Sequence, residues 1–198
     1  MLTSLEIDGD IVKKRLQSVD LIEFTNLIKT TLNITSEEYV TEYVYEYAVV
    51  DCEGFQEPEI KAGFGIETRK LNFFVKSIAQ DFNLVFGHRI HDWQTFYRIL
   101  DVILKLYIVH ELIHIQQIQQ GTLTLEVKRN FERTTPYLQR PYEIEAHDRS
   151  EEIIAALGEF ETEVLKYVRA RSPEILVNDS GLQLERLCKS LNYPEINI

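Results

Sequence analysis

The chain has 198 residues, enough for one folded domain with a substantial hydrophobic core, and a formal net charge of −11 at pH 7. Its negative charge disfavours nucleic acid and anionic membrane surfaces as partners, because both are negatively charged. No basic stretch followed by an apolar run opens the sequence, and Cys52 and Cys188 lie far apart and outside any Cys-x-x-Cys spacing. We therefore expect a single domain over residues 1–198 that works in the cytoplasm.

Residues 1–90 are predicted to contribute one helix and a small sheet. Apolar side chains at helical spacing predict a helix over residues 18–33, and Asp20 followed by Glu23 is typical of a capping box at its start. The period changes to two over residues 39–50, which predicts a strand. Its tyrosines share one face, which is either half-buried against the core or a platform for substrate. Two shorter strands, predicted over residues 60–66 and 71–75, would complete an antiparallel meander.

A long helix is predicted from Asp92, a good N-cap, to Gly121, a good C-terminal stop. It contains the pentapeptide His110-Glu111-Leu112-Ile113-His114. Histidines four residues apart project from one face of a helix, so both imidazoles can reach one metal ion while the glutamate between them addresses a water. This is the HExxH signature of zinc peptidases. The alternative is a helix that carries ordinary polar side chains near the edge of the core.

The region after this helix is predicted to be mainly helical. Residues 91–171 would hold the metal-site helices, and residues 172–198 a tail. The predicted elements are a loop over residues 122–140 with one strand at 123–127, a helix over residues 141–171 and a short helix near residues 182–191.

A catalytic zinc site needs a third protein ligand. Glu143 and Glu145 are the candidates, and on a helical wheel Glu143 points closer to the apolar side marked by Ala146, Ile153 and Leu157. We therefore favour Glu143 and keep Glu145 as the alternative. His147, which shares the face of Glu143, could orient its carboxylate or meet substrate.

The HExxH motif, followed by a helix that bears Glu143-Ile144-Glu145-Ala146-His147, resembles the gluzincin group of metallopeptidases. Gln116 and Gln117, just after the motif, are similar to a group of small bacterial and phage-associated metallopeptidases. The matching segment covers residues 93–160. It departs from the family pattern at His147, where the family usually has Asp, while Asp148 lies one position late.

The resemblance implies an α+β, zincin-like fold in which a small, mostly antiparallel sheet packs on the long active-site helix, with further helices C-terminal. It also implies a Zn²⁺ ion held by His110, His114 and Glu143, with Glu111 as the catalytic base in the hydrolysis of peptide bonds. In enzymes of this group an extended peptide pairs with a sheet edge above the metal. Residues 61–67 are our choice for that edge, because their two glycines would let a peptide backbone approach.

Two functions follow from these observations. The first is a zinc-dependent endopeptidase with a peptide or protein substrate, which could be one specific protein. The alternative is a regulatory or protein-binding module of metallopeptidase descent without general proteolytic activity, which the missing Asp favours. Tyr137, Arg140 and Tyr142 are candidates for polarising a substrate carbonyl. His88 and His91 could form a second metal site but belong more naturally to the loop before the long helix.

Overall fold

The computed structural model describes residues 5–35, 39–46, 60–87 and 90–157. Over these ranges the chain is an α+β structure in which helices predominate around a three-stranded sheet. The elements are α1 (Gly9–Leu16), α2 (Val19–Thr31), β1 (Val40–Val44), β2 (Ala62–Gly65), β3 (Lys70–Phe74), α3 (Val75–Phe86), α4 (Trp93–Gln119), α5 (Leu125–Thr134), a 3₁₀ turn (Tyr137–Gln139) and α6 (Pro141–Ala156).

Several sequence predictions lie outside the described residues. These are the end of the first predicted strand, His88, the helix after residue 157 and the short helix near residues 182–191. In the described ranges, no helix combines the length and apolar character that crossing a membrane would require.

The sheet is mixed, with the strand order β1-β3-β2. β2 runs antiparallel to β3, from the Ala62–Phe73 pair to the Gly65–Lys70 pair, whereas β1 runs parallel to β3. The predicted, mostly antiparallel meander is therefore wrong in two respects, because β3 and not β2 lies next to β1, and the β1–β3 pair is parallel. A parallel pair needs a long connection between its strands, and β1 and β3 are separated by 25 residues along the chain.

The tyrosine-bearing face of β1 is half-buried. The Tyr39 ring meets Phe64 edge-on, and the Tyr43 ring stacks on Phe73, with centroids 6.2 and 6.5 Å apart. Val40, on the opposite face, is 63% exposed. The period of two therefore reflects packing against the core in the described part of this strand.

The helix predicted over residues 18–33 is α2, but the predicted capping box is wrong. The N-cap is Ser18, whose hydroxyl accepts a hydrogen bond from the Leu21 backbone N–H at 3.4 Å. The helix therefore begins before Asp20, which lies inside its first turn. The flanking helices α1 and α3 were not predicted, and α3 follows β3 directly without a side-chain cap.

The long predicted helix is confirmed as α4, and so are both of its end signals. The Asp92 carboxylate accepts a hydrogen bond from the Thr95 N–H at 2.7 Å, and Gly121 adopts φ +75° just after the helix. α4 is buried around most of its circumference because α2, α6 and β2 all pack against it. It therefore holds the HExxH segment rigidly inside the molecule.

The strand predicted at residues 123–127 is wrong, because the chain forms α5 there. The hydroxyl of Thr124 accepts a hydrogen bond from the Val127 N–H at 3.2 Å and caps the helix. Three alternating apolar residues suggested a strand, but a side-chain cap followed by helix-favouring residues decides the local structure.

The predicted helix that begins at residue 141 is observed as α6, which is described to Ala156. Its buried face differs from the predicted stripe, since Leu157 is 38% exposed and Ile153 is only partly buried. The face that packs on α4 instead carries Glu143, Ala146, His147, Ser150 and Ile154. Several of these side chains are polar, so the apolar residues alone predicted a buried face that is rotated from the observed one.

Candidate metal centre

The three predicted ligands meet at one point between α4 and α6. Nε2 of His110 and Nε2 of His114 lie 3.0 Å apart, and each is 3.1 Å from Oε2 of Glu143. The histidines are one helical turn apart on α4, and Glu143 comes from the first turn of α6. Ligand atoms around a tetrahedral zinc, each about 2.0–2.2 Å from the metal, are separated by about 3.3 Å. The donor set and its spacing therefore fit a zinc ion.

The electrostatics of this cluster also fit a cation. Burial opposes the charge on Glu143, but His114 and His110 outweigh it and hold the pKa of the carboxyl well below its ordinary value. Burial likewise disfavours the imidazolium of His114, yet the Glu143 carboxylate raises the pKa of His114 to about 9. Without a metal ion, a proton on His114 thus balances the negative charge of the Glu143 carboxylate. A divalent cation can take over that role.

Glu111 lies beside the three ligands in the same pocket. Its side chain is 5% exposed, and Oε2 has no hydrogen-bond partner among the described residues. A buried carboxylate oxygen without a partner is costly and is found mainly where chemistry uses it. The position suits a base that acts on a molecule bound at the metal.

Glu145, the alternative third ligand, points away from the histidines. Its Oε1 accepts a hydrogen bond from Nη1 of Arg149 at 2.9 Å on the exposed side of α6. Its Oε2 accepts a hydrogen bond from Nε2 of Gln117 at 3.0 Å. The geometry therefore places Glu143, and not Glu145, at the cluster.

His147 lies at the cluster, where the family resemblance led us to look for an Asp. Its ring centroid is 4.5 Å from that of His110, and its side chain is buried. His110, Glu143 and His147 each offer a donor atom within 4.8 Å of the others, so His147 could contribute to metal binding. Asp148 is exposed on the outer side of α6.

The contact of Gln117 with His114 was not predicted from the sequence. This buried side chain follows the motif, and its Oε1 lies 2.9 Å from Nδ1 of His114. The spacing of three residues along α4, which places side chains on one face, is the signal that could have revealed the contact.

A pocket of about 110 Å³ opens next to the cluster. Its lining combines the β2 segment, the HExxH side chains of α4, and residues of α5, of the 3₁₀ turn and of the start of α6. It is lined by Ile60, Lys61, Ala62, Gly63, Phe64, Ile66, Tyr107, His110, Glu111, His114, Ile118, Leu123, Lys128, Glu132, Tyr137, Arg140, Tyr142 and Glu143. The predicted edge segment therefore borders the same space as the predicted ligands.

All three candidates for polarising a carbonyl border this pocket. Arg140 is 2% exposed, its Nε donates to the carbonyl oxygen of Thr135 at 3.0 Å, and its guanidinium lies 5.7 Å from the centroid of the Tyr137 ring. Burial raises the pKa of Tyr142, so its phenol stays a proton donor at neutral pH. The other candidate metal residue, His91, is exposed and joins no metal-binding group in the described part of the chain.

Comparison of the chain with protein-family models, with curated proteins and with solved structures finds no match. The resemblance to gluzincins therefore rests on the HExxH segment, on Glu143 and on the residues that follow them.

Proposed function

We propose that the protein is a zinc-dependent endopeptidase with a zincin-like active site. The observation that carries this proposal is the convergence of His110, His114 and Glu143 within 3.1 Å of one another, with the Glu111 carboxylate beside them. Two imidazoles and one carboxylate leave one tetrahedral position open, which is typical of catalytic zinc sites.

The protein side chains have separate tasks in this proposal. Zinc, when bound, would supply a Lewis acid that lowers the pKa of water and stabilises negative charge on oxygen. Glu111 accepts a proton from the attacking water and gives it to the leaving amine. Arg140, Tyr142 or Tyr137 stabilises the oxyanion that forms from the scissile carbonyl.

The substrate binds as an extended strand along β2, which is the terminal strand of the described sheet. Phe74 N–H donates to the Lys61 carbonyl, and antiparallel strands bond through alternate residues, so Ala62 and Phe64 turn their backbone groups to the other edge. The glycines have different parts in this arrangement. Gly65 pairs with Lys70 beside the turn, where a Cβ would meet the Thr68 side chain, whereas Gly63 is not crowded and borders the pocket.

Metal analysis and proteolysis test this proposal together. Protein purified from metal-replete medium should carry about one equivalent of zinc and should cleave an unfolded protein such as reduced casein. Chelation should abolish cleavage, and added zinc should restore it. A wild-type protein that folds normally but takes up no zinc would refute the proposal.

The position of His147 supports a second candidate function, a protein-binding module with a structural metal. If His147 joined the other three ligands, four protein side chains would close the site, as in structural zinc sites. Cobalt substitution separates the two functions. An open site changes its visible spectrum when a small anion such as azide is added, whereas a site closed by four protein ligands does not respond.

A further inference from the structure

We propose that Gln117 is a positioning residue that fixes the orientation of the His114 ring, so that Nε2 faces the metal. This inference rests on the proposed zinc site and concerns how that site is built. Gln117 is 1% exposed, lies one turn after His114 on α4, and contacts both His114 and the first turns of α6.

The hydrogen bonds of Gln117 determine which way its amide points. Its Nε2 lies 3.1 Å from the carbonyl oxygen of Tyr142 and 3.0 Å from Oε2 of Glu145. A backbone carbonyl can only accept, so this end of the amide must be the NH₂ group. The other end is therefore the oxygen Oε1, which faces Nδ1 of His114 at 2.9 Å.

The tautomer of His114 follows from this orientation. An amide oxygen can only accept, so Nδ1 of His114 must donate the proton to it. In the neutral imidazole Nε2 then carries the lone pair, and Nε2 is the atom that lies 3.0 Å from Nε2 of His110 and 3.1 Å from Glu143. Gln117 thereby presents His114 in the form that a metal requires.

A second layer of contacts holds Gln117 in place. Glu145, which accepts from Gln117, is bound on its other oxygen by Arg149. Arg149 also donates to Oε1 of Gln116 at 2.5 Å, and Nε2 of Gln116 donates to the carbonyl oxygen of Leu32 at 2.7 Å. The chain of bonds links α2, α4 and α6, so the orientation of a metal ligand depends on how three helices pack.

Gln117 also joins α4 to α6, so a loss of stability alone would not distinguish positioning from simple packing. Gln119 provides a matched control, because it has the same side chain on the same helix, and its Nε2 donates to Oγ1 of Thr35 at 3.4 Å, outside the chain of contacts that holds Gln117. Methionine replaces either glutamine at similar length and removes all of its hydrogen bonds.

The experiment measures zinc affinity by competition with a chromophoric chelator for wild type, Gln117→Met and Gln119→Met. We expect Gln117→Met to weaken binding about 10- to 100-fold, the range for partners that orient a ligating histidine, and Gln119→Met to stay within about threefold of wild type. Equal affinities of Gln117→Met and wild type would overturn the inference, and so would equal losses in the two variants. A wild type that binds no zinc would overturn the proposed function as well.

Nitrogen-15 NMR of the ring nitrogens gives a readout that does not depend on the folding of any variant. In zinc-loaded wild type, Nδ1 of His114 should carry a proton that exchanges slowly with solvent, because Gln117 accepts it in a buried position. A His114 ring protonated at Nε2 would contradict the inference.

Discussion

Oε2 of Glu143 lies 3.1 Å from Nε2 of His114, although α5 and a 3₁₀ turn separate the two residues along the chain. The contact joins the first turn of α6 to the C-terminal half of α4, where the two helices pack along each other. Both side chains are buried, so their charges act on each other with little screening by water. The consequences of this contact for metal affinity can be measured in three glutamate variants.

Glu143→Ala should weaken zinc binding by about 10-fold or more, because it removes a direct ligand. Loss of a residue that only orients a ligand already lowers metal affinity by about 10- to 100-fold. Glu145→Ala should have a smaller effect, because Glu145 acts only through Gln117. Glu152→Ala, which removes an exposed carboxylate farther along α6, is the control and should bind as wild type does. Chelator competition measures all three. A larger loss for Glu145→Ala than for Glu143→Ala would move the third ligand to Glu145.

Glu111→Gln should retain zinc and reduce cleavage of peptide bonds by at least about 100-fold. The amide has nearly the same shape as the carboxylate but cannot accept a proton from water, and a general base contributes about 10²- to 10⁴-fold. Metal analysis and a peptide cleavage assay on the same preparation check both parts. Glu152→Gln, at an exposed position, should keep full activity. Full activity of Glu111→Gln would exclude Glu111 as the base.

Zinc binding at pH 8 should release about one proton, because a ligating histidine must be neutral and Glu143 raises the pKa of His114 to about 9. The raised pKa means that His114 holds its proton below pH 9 and loses it only as the pH rises through that value. The apparent zinc affinity should therefore increase by about tenfold per pH unit up to about pH 9 and then level off. Calorimetric titration in buffers of different ionisation enthalpy counts the protons.

Glu143→Gln is the matched variant for this measurement. It removes the negative charge that raises the pKa of His114, so the pKa should fall towards or below its ordinary value of about 6.5. Zinc should then bind more weakly and release almost no proton at pH 8. If wild type released no proton at this pH, His114 would not hold one in the metal-free protein.

Local signals predicted α4 well, whereas the pairing of β1 could not be predicted. Asp92 and Gly121 act within one turn of the helix ends, so their identities suffice to place those ends. The direction of β1 against β3 is instead a relationship between strands that are 25 residues apart along the chain, which no short-range pattern encodes. The strand predicted at residues 123–127 failed for the opposite reason, because a local cap at Thr124 was overlooked.

The candidate site was predicted in part for similar reasons. The four-residue spacing of His110 and His114 sets their geometry within one helix, and the wheel of α6 favoured Glu143. The wheel used apolar residues to find the buried face, but this face carries His147 and Ser150, so the predicted stripe was rotated. The role of Gln117 was not predicted, because the orientation of its amide depends on a hydrogen bond to the backbone carbonyl of Tyr142. A sequence does not reveal such a contact between two helices.

The last prediction concerns the substrate edge of β2. Ala62→Pro removes a backbone N–H that faces away from β3, so it should leave the sheet hydrogen bonds of Lys61 and Gly63 intact. An extended substrate would lose one main-chain hydrogen bond, worth about 0.5–1.5 kcal/mol. We expect kcat/KM to fall by roughly 2- to 10-fold, mainly through KM, at unchanged zinc content.

Gly63→Pro is the contrasting variant at the neighbouring position. It removes an N–H on the side of β3, so it should destabilise the sheet itself and lower the melting temperature more than Ala62→Pro does. Thermal unfolding and steady-state kinetics of the two variants separate a loss of substrate contact from a loss of fold. If Ala62→Pro kept wild-type KM and wild-type stability, the peptide would not pair with this edge, and its binding path would have to follow another wall of the pocket.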